Sequence, residues 1–203
     1  EICKGMDGAR FETSLFCCVG GGELLERFTP HCTEVIVHER QRLFDLEGMG
    51  KLARLLRDRR IDIVHSWLWY SNIFSYMVTR LARPPHWLMS VRGLPLGFNR
   101  VHALVEGMAA RAAERITTVS QFNARHFQAE HSVSGERISV IYNGILPHHA
   151  DSDALDVKAR VAGQGPILGC IANFGREKGH RYLVAAMPEI LAARPRALLL
   201  LVG

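Results

Sequence analysis

The chain has 203 residues, of which 48% are hydrophobic and 22% charged, with a formal net charge of +5. That composition is ample for a buried core, and no apolar run reaches the roughly 20 residues that a membrane-spanning helix needs. The mild basic excess suits anionic lipid surfaces or phosphorylated substrates, but no Lys/Arg run with interleaved aromatics argues for nucleic acid. Five cysteines (Cys3, Cys17, Cys18, Cys32, Cys170) form no C-x-x-C pair and favour reduced thiols in a cytosol. The ten histidines are dispersed, so no metal site is expected.

From its first residues the chain reads as a piece of something longer, since it opens on Glu1 with neither a starting Met nor a leader pattern. Phe11 to Val19 is an apolar run that predicts a strand, and Gly20-Gly21-Gly22 a tight turn into a short helix, Glu23 to Phe28. Three glycines after a strand also suit a phosphate cradle, although neither G-x-x-x-x-G-K-[ST] nor a full dinucleotide fingerprint is present. Glu34 to His38 predicts a second strand. Met49, Leu52, Ala53, Leu55 and Leu56 then mark one face of a helix whose other face carries Arg54, Arg57, Asp58, Arg59 and Arg60.

Ile61 to His65 follows at once, and an apolar strand directly after an amphipathic helix is the step of a parallel sheet buried on both faces. Ligands of such sheets lie beyond the carboxyl ends of the strands, which places His65, Ser66, Trp67 and Trp69 at a substrate crevice unless the tryptophans cap the core. Ile73 to Leu81 predicts a helix, closed by Arg83-Pro84-Pro85. His86 to Val91 is the next strand and delivers Arg92-Gly93 to the same sheet edge, where the guanidinium either meets a hydroxyl-rich or anionic ligand or makes a structural ion pair. Pro95 and Gly97 extend a loop, and Val101 to Ala113 is a helix whose basic face is either solvated or rests on anionic lipid.

Arg115 to Val119 predicts a strand, with Ser120 placed to cap the helix Gln121 to Ala129. Ile138 to Ile145 predicts a buried strand that stops at the Asn143-Gly144 turn and ends the first domain. Leu146 to Gly165 has the composition of an exposed connector, His148-His149 included, with Asp153 to Val161 a short helix. The strand Ile167 to Ala172 begins a second domain. Its following loop, Asn173 to Gly179, puts Arg176 and Lys178 at the start of a helix lined by Leu183, Ala186, Met187, Ile190 and Leu191 and expected to kink at Pro188. Two cations and the free backbone N–H groups of a helix N-terminus suit a phosphate, and a solvated loop is the plainer reading. Ala197 to Val202 is the last strand.

Several of these segments together resemble the family 4 glycosyltransferases of the GT-B fold. Asp62-Ile-Val-His-Ser-Trp67 resembles the family's D-x-V-H-x-H strand end, Ser90-Val-Arg-Gly93 its R-G loop, and Thr118-Val-Ser-Gln121 its V-S-x turn. Ile138 to Ile145 is similar to V-I-P-N-G-V, and Ile171 to His180 to V-G-R-L-x-x-x-K-G-H. The resemblance implies an α/β fold of two Rossmann-like domains facing across a cleft: residues 1–145 on the acceptor side with the first strand missing, a linker at 146–165, and the beginning of a nucleotide-sugar domain at 166–203. It implies sugar transfer from a nucleotide sugar to a glycan or lipid-linked acceptor, with retention, no metal and no resident cofactor, in the cytoplasm or peripherally at the inner membrane face.

His65 and Arg92 are the acceptor-side candidates for catalysis. Lys178 matches the lysine that neutralises the donor diphosphate, with Gly179 beside it. The family's G-R-L arginine falls on Asn173, so Arg176 is the candidate substitute, and the family's second His falls on Trp67. Those two departures encourage a second reading, a non-catalytic binding or scaffold module of the same fold, and a nucleotide-sugar epimerase, which shares the two-domain layout but needs no acceptor, is a third.

Overall fold

The computed structural model describes residues 2–18, 20–22, 24–39, 45–93, 99–144 and 165–203. The chain divides into two compact units, Glu1–Ile145 and Leu146–Gly203. The first opens with a single helical turn, α1 (Ile2–Gly5), then β1 (Ser14–Cys17), α2 (Leu25–Phe28), a 3-10 turn at Thr29–His31 and β2 (Glu34–Val37). Next come α3 (Leu46–Asp58), β3 (Ile63–Trp67), α4 (Leu68–Ala82), β4 (His86–Val91), α5 (Arg100–Ala112), β5 (Arg115–Thr118), α6 (Gln121–His131) and β6 (Ile138–Val140).

Every described ladder is parallel. β1 pairs with β2, and β3, β4, β5 and β6 form a four-stranded sheet in that spatial order. Among the described residues no ladder joins the two sheets. Parallel strands need crossovers, and the amphipathic stretches between strands supply them as α3 to α6. One core cluster gathers Ile73, Trp87, Met89, Val91, Ala109, Ala110, Ala113, Ile116, Phe127 and Val133. The alanines Ala109 and Ala110 of α5 are fully buried, which lets that helix close directly on the sheet. A second cluster sets Leu52, Ala53, Leu55 and Leu56 of α3 against Phe74 and Val78 of α4, with Phe16 of β1 and Ile36 of β2 packed on it.

Caps account for several boundaries. Asp45 accepts from the backbone N–H of Gly48 at 3.0 Å and starts α3, while its other oxygen meets the buried His38. Ser120 accepts from Asn123 N–H at 3.1 Å, the cap its position predicts for α6. Arg137 donates to the backbone carbonyls of Ala110, Arg111 and Ala113, so its guanidinium satisfies the carboxyl end of α5.

Several boundaries differ from the expectations, and the strand expected over Phe11 to Val19 is confined to Ser14–Cys17. The strand expected to end at His65 runs on through Trp67, and α4 begins at Leu68, five residues before the expected Ile73. Leu68 has φ 68°, so strand turns into helix through one left-handed residue with no glycine to announce it. The strand expected from Ile138 to Ile145 leaves the ladder after Val140 because β5, its one neighbour among the described residues, ends at Thr118; Ile141 N–H makes the last bond, to Thr118 O at 2.8 Å. The expected loop at Pro95 and Gly97, the pair His148-His149 and the short helix from Asp153 lie outside the described residues.

The second unit comprises β7 (Ile167–Ile171), a 3-10 turn at Arg176–Lys178, α7 (His180–Ala193) and β8 (Leu198–Val202), a βαβ step with β7 parallel to β8. α7 continues through Pro188. Leu183, Met187 and Ile190 are half-buried along one side of it, the i, i+4, i+7 spacing of the expected face, whereas Ala186 and Leu191 are exposed.

Candidate functional site

In the first unit, β3 and β4 run side by side with Trp67 level with Ser90, so the residues just past those positions emerge together at the carboxyl edge of the sheet. His65 lies two residues back along β3, and its ring centroid is 4.5 Å from that of Trp67. Arg92 leaves the end of β4 and places its guanidinium 4.9 Å from the Trp67 ring, a cation–π contact. The same guanidinium donates to Asn143 Oδ1, just beyond the end of β6. Residues from three strands thus converge on one patch, and the sequence-predicted pair His65 and Arg92 is brought together there through Trp67.

Beneath the patch lies a buried polar chain. His65 Nε2 is 2.8 Å from Ser90 Oγ, and Ser90 Oγ is 2.6 Å from Thr117 Oγ1 on β5. Ser90 is fully buried, and its carbonyl accepts from Asn72 Nδ2 of α4 at 3.0 Å. Ser66 in turn accepts from the indole N–H of Trp87 at 3.0 Å, which makes it part of the core and withdraws it from the candidate patch. Trp69 sits on α4, its ring 4.9 Å from that of His102. Enclosure by the protein, followed by the Arg92 charge, holds the His65 pKa below its ordinary value and favours the neutral ring.

Sequence reading missed Ser90, Thr117 and Asn72, and took Asn143 only as a turn residue. The signal for Asn143 was its place just past a strand's carboxyl end. Ser90 and Thr117 are short polar residues inside apolar strands, which marks them as needing a partner but does not say which.

The second group of candidates lies in the second unit. Asn173, Arg176 and Lys178 are exposed and Gly179 is half-buried. Gly179 has φ 72°, a conformation that glycine takes without a Cβ clash, and it forms the N-cap of α7. The loop was expected to offer free backbone N–H groups. Several are instead used internally: Gly175 N–H donates to Asn173 O, Lys178 N–H to Gly175 O, Gly179 N–H to Arg176 O and Tyr182 N–H to Gly179 O. Charge at this loop therefore resides in the side chains of Arg176 and Lys178. Among the described residues no group of three His, Cys, Asp or Glu side chains is arranged to hold a metal, and no helix is long and apolar enough to cross a membrane.

A parallel α/β sheet with polar residues gathered at the carboxyl ends of its strands belongs to the class of open α/β folds whose ligands bind in the crevice beyond those ends. The profile of Glycosyltransferase Family 4 matches residues 1–148, and the chain belongs to that family. It is 26% identical over 164 residues to a GDP-mannose-dependent monoacylated alpha-(1-6)-phosphatidylinositol monomannoside mannosyltransferase of Corynebacterium glutamicum, over 75% of this chain and 42% of the relative. It is 28% identical over 158 residues to a D-inositol 3-phosphate glycosyltransferase of Segniliparus rotundus, over 71% of this chain and 35% of the relative. The chain thus spans less than half the length of these curated relatives.

Among solved structures, Anabaena HepE in complex with UDP and glucose superposes with a TM-score of 0.75 at 17% identity, over 94% of this chain and 60% of that one. A glycosyltransferase from Rickettsia africae gives 0.59 at 16% identity, over 96% and 61%. At these identities the likeness is one of fold, which is of the GT-B type.

Proposed function

We propose that the chain carries the acceptor-side domain and the first part of the nucleotide-sugar domain of a retaining glycosyltransferase. It would transfer a hexose from a nucleotide sugar to a glycan or lipid-linked acceptor without a metal or resident cofactor. The observation that carries this reading is the convergence of His65, Arg92 and Asn143 on the carboxyl ends of parallel strands in a chain of family 4. An acceptor hydroxyl would meet His65 and Arg92. In the second unit, Lys178 and Arg176 would lie against the donor diphosphate, where negative charge develops as the nucleotide departs. Asn173 and Gly179 would border the same phosphates. Binding of UDP and UDP-glucose by HepE and the nucleotide-sugar donor named for the Corynebacterium relative support this assignment.

The test is to titrate the protein with nucleotide sugars and then assay transfer with and without acceptor. Lys178→Ala should weaken nucleotide-sugar binding by about tenfold or more, the loss expected for one hydrogen bond to a charged group. Unchanged binding would remove Lys178 from the site. Binding without turnover in the intact enzyme would favour a binding module, and a new sugar nucleotide formed without acceptor would favour the epimerase reading.

A lipid-linked acceptor places the enzyme at a membrane, and α5 has a surface for that. Val101, Leu104 and Met108 lie at i, i+3, i+7 and are exposed, with Arg100 and Arg111 exposed on the same helix. Glu106, the helix's one acidic residue, is turned inward and buried. An apolar stripe edged by arginines fits an anionic bilayer surface. Co-sedimentation with vesicles containing anionic lipid should fall for Leu104→Glu; equal binding by the variant would exclude this face.

A further inference from the structure

The polar chain Thr117–Ser90–His65 has a direction that hydrogen-bond accounting settles. A serine or threonine hydroxyl owns one proton, and each of the two contacts in the chain needs one. In one direction, Thr117 donates to Ser90 and Ser90 donates to His65 Nε2. In the other, His65 Nε2–H donates to Ser90 and Ser90 donates to Thr117. The second leaves the Thr117 proton without an acceptor, because Ser90 is the only hydrogen-bond partner of Thr117 Oγ1 among the described residues and Thr117 is 9% exposed. A stranded buried hydroxyl proton gives up the hydrogen bond it makes to water in the unfolded chain and gets nothing in return, which favours the first direction by about tenfold or more. Ser90 is fully buried and further fixed through its carbonyl by Asn72, so no water competes for its hydroxyl.

We infer that Thr117 and Ser90 hold His65 as the neutral tautomer protonated on Nδ1, so that His65 offers its substrate a hydrogen-bond donor and cannot act as a proton acceptor. Nε2, the only lone pair of the neutral ring, is occupied by the Ser90 hydroxyl. Nδ1–H has no partner among the described residues, and His65, part-buried at Nε2, keeps solvent access as a residue beside Trp67 and Arg92. Ser90 and Thr117 are positioning residues that act through His65. That a substrate meets Nδ1–H rests on the glycosyltransferase reading; the tautomer itself does not.

Two measurements on the full-length protein test the two parts separately. Long-range proton–nitrogen NMR of the histidine rings, with the His65 signals assigned by their loss in His65→Asn, should show Nδ1 protonated and Nε2 bare at pH 7.5. Ser90→Ala should bring the Nε2–H form into the spectrum, whereas Thr117→Val should keep the parent pattern, because the buried Ser90 proton then has His65 Nε2 as its acceptor. An Nε2–H tautomer in the unaltered protein overturns the inference even if Ser90→Ala fails to fold. For the substrate, the side-chain amide nitrogen that His65→Asn introduces stands close to where Nδ1–H was. His65→Asn should therefore retain about tenfold or more transfer activity over His65→Leu. Equal loss in both would sink the donor role. Absence of transfer in the unaltered enzyme would sink the functional reading and leave the tautomer standing.

Discussion

The two units bury themselves to very different degrees. In the first, the sheet has buried residues on both faces, and Phe74, Val78, Met89, Ser90, Ile116 and Thr118 are at most 1% exposed. In the second, no described residue is buried, and Ile171, Phe174, Tyr182 and Val184 are more than half exposed. The difference teaches how each set of candidate residues is held. His65 stands on β3 and Arg92 just past the end of β4, strands fixed by a close-packed core and a buried hydrogen-bond chain, so their geometry follows from the packing of residues far from the patch. Arg176 and Lys178 stand on a loop fastened chiefly by its own backbone hydrogen bonds.

The largest test of that contrast is side-chain truncation. Phe74→Ala removes a 1%-exposed ring that stacks 6.1 Å from Phe16 and ties α4 to α3 and β1. It should cost about 3–5 kcal/mol in denaturant unfolding. Met187→Ala, on the half-buried side of α7, should cost less, about 1–2 kcal/mol, because its side chain keeps some contact with water and no fully buried neighbour surrounds the gap. Similar costs at both sites would break the comparison.

A smaller effect concerns pH. His65 takes up its proton at a lower pH in the folded protein than the ordinary 6.5, so between those two values the unfolded chain binds more protons. Its contribution to stability is full above pH 6.5 and is lost as pH falls toward the folded value. His65→Gln should therefore flatten the decline in stability as pH falls below 6.5 relative to the parent chain. An unchanged slope would show that the ring titrates normally and is less enclosed than its contacts with Ser90 and Trp67 indicate.

Much of the fold was legible because parallel strands buried on both faces read as short apolar runs and their crossovers as amphipathic stretches. β4 falls on His86–Val91 as expected, and Ser120 caps α6 as its position suggested. His65 and Arg92 were legible as strand-end residues. The parts that escaped depend on spatial neighbours. Ser90 meets Thr117 across 27 residues and Asn72 across 18, and Arg92 meets Asn143 across 51. No local pattern encodes those distances. β6 is shorter than its apolar run because strand length is set by the partner, and β5 ends first.

The smallest expected effect lies at Leu68, whose misreading shifted the start of α4. With φ 68° it holds a left-handed conformation that costs an L-residue about 1–2 kcal/mol, and at 62% exposed its side chain returns little burial energy to offset that. The conformation allows β3 to run through Trp67 and turn at once into α4, which keeps Trp67 in the ladder opposite Ser90 and beside Arg92. Leu68→Gly removes the steric cost and adds unfolded-chain entropy of about 0.5–1 kcal/mol, so the two nearly cancel. Its unfolding free energy should stay within about 1 kcal/mol of the parent chain, whereas a β-branched residue, Leu68→Val, should lower it. A clear loss on Leu68→Gly would mean that the side chain, and with it some contact beyond the backbone turn, is what sets Trp67 in place.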